Sequence, residues 1–172
     1  MNDEINNITQ EIINKTYNNL KKDTEAGGYY LNPEVEFTKD LIKSLLINER
    51  RYGYWACPCR LASSNKEDDL DIICPCYYRD PDLDEYNTCF CGLYVSKKII
   101  DEKINIKPIP ERRKSLNVRK KMLKKNKKKS EINSLNYPVW RCNVCGYLCA
   151  RDNPPESCPI CKAKKERFEK FI

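Results

Sequence analysis

Six cysteines fall within the 35 residues from Cys57 to Cys91, as three Cys-x-Cys pairs: Cys57 and Cys59, Cys74 and Cys76, Cys89 and Cys91. In an extended segment residues i and i+2 project to the same side, so one sulfur of a pair can bind a metal centre while its neighbour stays close. A tetrahedral site takes four thiolates, and six are present. The natural partition is four plus two: four thiolates for an iron–sulfur cluster and two for a redox-active disulfide beside it. A bridge within one pair would close a strained ring, so a bridge between pairs is easier. Reducing a disulfide takes two electrons, and a cluster touching one of its sulfurs allows them to arrive singly. The spacing leaves open which four are ligands.

A second set lies near the C-terminus. Cys142 and Cys145 form one C-x-x-C turn, Cys158 and Cys161 another, with twelve residues between them. Two such turns close a four-sulfur tetrahedral site for one iron or one zinc. Tyr137, Trp140, Tyr147, Phe168 and Phe171 could shield it from water. Cys149 belongs to neither set and reads as a small thiol without a role.

The remaining composition narrows the chemistry. Histidine is absent, which removes the usual general base and the commonest zinc co-ligand. None of the five glycines forms G-x-G-x-x-G or a P-loop, so electrons are expected from another protein and not from a bound nicotinamide.

The elements that must position these sulfurs are helical. Ile5, Ile8, Ile12, Ile13, Tyr17 and Leu20 recur at helical spacing. A breaker follows over 23–34. Phe37, Leu41, Ile42, Leu45 and Leu46 then form a second apolar stripe that ends near Tyr52 and Gly53. Both stripes read as core. The segments between the cysteine pairs, NKEDDLD (65–71) and RDPDLDE (79–85), read as acidic loops. Residues 111–136 read as a linker, and 137–172 as a domain too small to fold without a metal or a disulfide. Residues 1–110 then form the cluster-bearing domain.

The net charge of +7 is concentrated in one place. Residues 112–129 carry eleven Lys and Arg and no acid, and removing those eleven from +7 leaves −4 elsewhere. The basic run reads as a solvated, mobile linker. It could also steer an acidic protein partner. No aromatics interleave its lysines, which disfavours nucleic acid. No secretory signal or membrane-spanning apolar run is evident, so the chain reads as cytoplasmic, where regularly spaced cysteines mean metal or redox chemistry.

Two resemblances sharpen these readings. WACPCR, CPCYY and CFCGLYV resemble the catalytic chain of ferredoxin:thioredoxin reductase over roughly residues 27–112, together with GYYLNPE and IPERR. The resemblance implies a mostly helical cluster domain. It implies that Cys57, Cys74, Cys76 and Cys89 hold a [4Fe–4S] cluster and that Cys59 and Cys91 form the active-site disulfide. Cys59 would be the exposed nucleophile, with ferredoxin as electron donor and a thioredoxin-like protein as acceptor. Phe90 departs from the plant-type family, which has histidine between the last two cysteines. WRCNVCGY and ESCPICKAKKERFEKF are similar to the rubredoxin-like tail of rubrerythrins, which implies a small β-hairpin domain with one iron on Cys142, Cys145, Cys158 and Cys161. Lys162 departs from the glycine of long rubredoxins. The fusion is similar to the ferredoxin:disulfide reductases of anaerobes. The rival readings are a zinc-ribbon nucleic-acid-binding protein, with zinc at the C-terminal site, and an electron carrier without disulfide chemistry.

Overall fold

The computed structural model describes residues 8–126 and 135–172. Helix α1 (Gln10–Ala26) begins where Thr9 Oγ1 accepts the Ile12 N–H at 3.4 Å, a side-chain cap for an otherwise unpaired donor. It runs four residues into the stretch read as a breaker and stops at Gly27. Ile8 and Ile13 of the first stripe are buried; Ile5 lies outside the described residues. Helix α2 (Val35–Tyr52) carries the second stripe and ends at Gly53, whose φ of 78° suits glycine. Between them, β1 (Tyr30–Leu31) pairs antiparallel with β2 (Tyr94–Val95). Leu31, Leu41, Ile42, Leu45, Leu93 and Tyr94 form the core with Cys89, so the third cysteine pair is built directly onto it.

Asn32 explains the GYYLNPE signal. Its Oδ1 accepts the Glu34 N–H at 2.9 Å, its Nδ2 donates to the Gly92 carbonyl at 3.0 Å, and Thr38 Oγ1 donates to its own carbonyl at 3.0 Å. One buried side chain thus fixes both the start of α2 and the turn after Cys91.

Two acidic segments are not simple loops. Residues 79–86 form helix α3 (Arg79–Tyr86), and Leu70–Ile72 make a 3₁₀ turn. Helix α4 (Lys97–Glu102) follows β2.

The reading of 111–136 as a solvated linker is corrected over its first half. Helix α5 (Leu116–Asn126) occupies part of it, and residues 111–120 strap back onto the helical region. Arg112 Nε bonds Asp82 at 2.6 Å, Arg113 bonds Asp69 and Asp71 at 2.9 Å each, and Lys120 bonds Asp68 at 2.8 Å. The physical reason is charge complementarity: the basic run meets the two acidic segments, and Asp69 and Asp82 have fully buried side chains that require cations. Residues 127–134, with the last lysines of the run, lie outside the described residues.

The C-terminal part is a three-stranded antiparallel sheet in the order β4-β3-β5, from β3 (Val139–Cys142), β4 (Leu148–Ala150) and β5 (Phe168–Lys170). The β3–β4 hairpin gains a third strand when Cys142 pairs with Phe168. Among the described residues, no helix is long and apolar enough to cross a membrane.

Candidate metal and dithiol centres

The two C-x-x-C turns are built alike. Gly146 N–H donates to the Cys142 carbonyl at 2.9 Å, and Lys162 N–H donates to the Cys158 carbonyl at 3.0 Å. Both capping residues have positive φ, 77° at Gly146 and 60° at Lys162. The turns face each other, with Cys142 and Cys161 sulfurs 3.6 Å apart and those of Cys145 and Cys158 also 3.6 Å apart. All four sulfurs lie within 4.8 Å of one another. A tetrahedron with ~2.3 Å metal–sulfur bonds has edges of about 3.8 Å, so this donor set fits one iron or zinc ion. Cys149 sits half-buried in β4 against the same cluster of side chains and outside the four-sulfur set.

The six upstream cysteines occupy a wider arrangement. The first two pairs run antiparallel: Cys57 N–H donates to the Ile72 carbonyl and Cys74 N–H to the Trp55 carbonyl, both at 2.8 Å. The third pair sits in a tight turn closed by Gly92 N–H on the Cys89 carbonyl at 2.8 Å. Gly92 has φ 75°, and a Cβ there would meet the Phe37 ring at 3.3 Å. Cys57, Cys76 and Cys89 are buried, Cys74 and Cys91 are partly buried, and Cys59 is exposed. Among the described residues only the C-terminal four crowd closely enough for a single ion.

Cys91 lies among these sulfurs, its own 3.6 Å from that of Cys89. The neighbouring thiols of Cys57, Cys59 and Cys89, together with burial, push its thiol up. The neighbouring Cys91 thiol, with help from the Arg60 charge, brings the Cys59 thiol down to about 7. Burial pushes Cys74 up and takes Cys76 to about 12.

Sequence reasoning missed Arg60, the residue after Cys59. Its side chain is only 1 % exposed. Nη1 donates to Cys76 Sγ at 3.4 Å, while Nε and Nη2 donate to Glu111 at 2.9 Å. The rings of Tyr78 and Phe90 lie 4.8 and 4.4 Å from the guanidinium. The signal that could have found it is the arginine beside an ACPC pair together with the acid in IPERR.

The two centres are joined by side chains that no periodicity marks. Arg167 is buried, donates to the carbonyls of Ile73 and Pro75, the latter at 3.0 Å, and lies over the Tyr77 ring at 4.5 Å. Asn143 Nδ2 donates to Tyr77 Oη at 3.3 Å. Gly27 approaches so closely that a Cβ there would fall 2.3 Å from the Ile160 carbonyl oxygen. A cavity of about 360 Å³ lies at this junction, with Cys74, Trp55, Cys161 and Arg167 in its walls.

A buried set of thiols around one exposed thiol, joined to a four-thiolate site, defines a metal-binding thiol oxidoreductase. A family model for the ferredoxin thioredoxin reductase catalytic beta chain matches residues 6–110, and the chain belongs to that family. A model for the rubrerythrin, rubredoxin-like domain matches residues 140–169. No curated protein matches the chain at a significant level.

Proposed function

We propose that the protein is a ferredoxin-dependent disulfide reductase whose acceptors are thioredoxin-like proteins. In this reading Cys57, Cys74, Cys76 and Cys89 hold a [4Fe–4S] cluster, and Cys59 and Cys91 are the exchanging pair. The observation that carries it is the contrast within the six: Cys59 is the exposed thiol, while Cys57, Cys76 and Cys89 are buried and Cys74 and Cys91 partly so. When bound, the cluster supplies one-electron chemistry next to Cys91.

The chain's own residues then perform the exchange. The Cys59 thiolate attacks the partner's disulfide, forming a mixed disulfide and releasing one partner thiol. Cys91 attacks the Cys59 sulfur, forming the Cys59–Cys91 bond and releasing the second partner thiol. Two electrons from ferredoxin and two protons restore the dithiol. Cys59 is open to water, so no histidine is needed to bring protons to it. Iron on the four C-terminal thiolates would supply a second one-electron centre. Arg167 and Asn143 would hold that centre against residues 73–77, and Gly27 would let Ile160 pack against the end of α1.

Two measurements test the reading. Anaerobically purified protein should carry about five irons and four acid-labile sulfides, from the ligand count. Cys59→Ser should lose all disulfide reduction and keep that content. A Cys59→Ser protein without sulfide would reassign Cys59 as a ligand, and zinc without sulfide in the native chain would sink the reductase.

A further inference from the structure

We propose that Arg60 is the charge-positioning residue of the upstream centre, setting its reduction potential through a hydrogen bond to Cys76 and a buried positive charge. This rests on the reading that Cys57, Cys74, Cys76 and Cys89 bind the cluster.

Every polar edge of the guanidinium is committed. Nε meets both Glu111 carboxylate oxygens, at 3.1 and 2.9 Å. Nη2 meets Glu111 Oε1 at 2.9 Å and lies 3.9 Å from Asp82 Oδ2. Nη1 is left pointing to Cys76 Sγ. The faces are covered by Tyr78 and Phe90, and the charge has no path to water. Such a cation cannot shed its proton, so it is a fixed charge. N–H···S bonds and buried positive charge favour the more negative, reduced form of an iron–sulfur centre and raise its potential.

The carboxylates give the arrangement a sign that a scaffold role would not have. Glu111 holds the fork in place from the strap, but its negative charge also offsets Arg60. Asp82 is shared with Arg112, which donates to it at 2.6 Å. Removing Arg60 therefore leaves Glu111 facing the sulfurs alone, and neutralising Glu111 leaves Arg60 unopposed. The two changes act on the potential in opposite directions.

The experiment is an EPR-monitored redox titration of the full-length, cluster-loaded protein, with iron and sulfide measured first on each variant. Arg60→Met keeps the stem without the charge and should move the midpoint to more negative values. Arg60→Lys, which keeps the charge without the fork, should fall between the two. Glu111→Gln, at a side chain 37 % exposed, should assemble normally and move the midpoint to more positive values. Should Arg60→Met fail to assemble, the Lys and Gln variants decide by the sign of their shifts. Shifts of equal sign at Arg60 and Glu111, or none, would overturn the proposal while leaving the reductase reading intact. Absence of sulfide in the native protein would instead remove that reading.

Discussion

Gly27→Ala isolates the contact between the two centres. Gly27 has φ −86° and ψ 0°, a conformation any residue adopts, so alanine introduces no backbone strain. On an isolated helix end this substitution stabilises by about 0.4–1 kcal/mol through the unfolded chain. Here the new Cβ would lie 2.3 Å from the backbone oxygen of Ile160, and ordinary contact begins at 3.4 Å. The second C-x-x-C turn must therefore retreat by 3.4 − 2.3 = 1.1 Å, and a carbonyl cannot rotate aside as a flexible side chain can. Overpacking of this kind costs about 1–3 kcal/mol. The retreat also pulls Arg167 away from the carbonyls of Ile73 and Pro75, and hydrogen bonds from a charged donor contribute about 1.5–3 kcal/mol each. The net effect is destabilising, and Tm should fall by several degrees, at about 2–4 °C per kcal/mol for a chain of this size. The assay is a thermal melt of the metal-loaded chain, paired with hydrogen exchange read on peptides spanning 71–78 and 158–167. Exchange should rise in both peptides while the metal content stays constant. A higher Tm with unchanged exchange would mean that the two parts do not touch, and would refute the docking.

Two further perturbations probe the strap and the second turn. Burial pushes the Asp69 carboxyl up, but hydrogen bonds from Tyr54, Arg113 and Ser63 outweigh it and hold the group below its ordinary value. A lowered native pKa stabilises above the unfolded value of about 3.9, and that contribution is lost as pH falls through the native value. Asp69→Ala should therefore cost about 3–5 kcal/mol at neutral pH, as expected for breaking a buried ion pair. It should also flatten the loss of stability below about pH 4 in urea melts. An unchanged acid slope would show that Asp69 is not the titrating anchor. At the second turn, Lys162→Gly removes a side chain from a left-handed conformation (φ 60°) and should stabilise the metal-loaded protein by up to about 1 kcal/mol. A lower Tm would show that the Lys162 side chain makes contacts that outweigh its strain.

The parts legible in the sequence were those whose physics is local. A C-x-x-C turn places two sulfurs by its own backbone hydrogen bonds, and the spacing of Cys142, Cys145, Cys158 and Cys161 marked the four-sulfur site as it stands. The apolar stripe marked α2 because Leu41, Ile42 and Leu45 bury one face at the helical period, although Phe37 at its start is exposed. The helical class and the rubredoxin-like part, now carried by the family assignment, were readable for the same reason. The acidic stretch 79–85 misled because Asp and Glu read as solvent-facing. Arg79 and Asp82 are in fact buried in α3, one stacked on Tyr29 at 3.6 Å and the other paired with Arg112.

What stayed hidden depends on pairs far apart in the chain. Arg60 and Glu111 are 51 residues apart, Arg113 and Asp71 are 42, and Arg167 and Pro75 are 92. None of these side chains carries a period, because each contact is made once, by one charged group. The sequence did contain a balance that periodicity ignores: a run without acids, and two acidic runs that flank the second cysteine pair. Buried carboxylates such as Asp69 and Asp82 oblige the fold to bring cations to them. The nearest basic run outside the cysteine region is the one that follows IPERR. Matching charge runs against each other would have drawn 111–120 onto the helical region. It would also have placed Glu111 beside the first cysteine pair, and with it a partner for Arg60. For a chain with this many charges and so few glycines, that charge matching carries information about the site that the cysteine spacing does not.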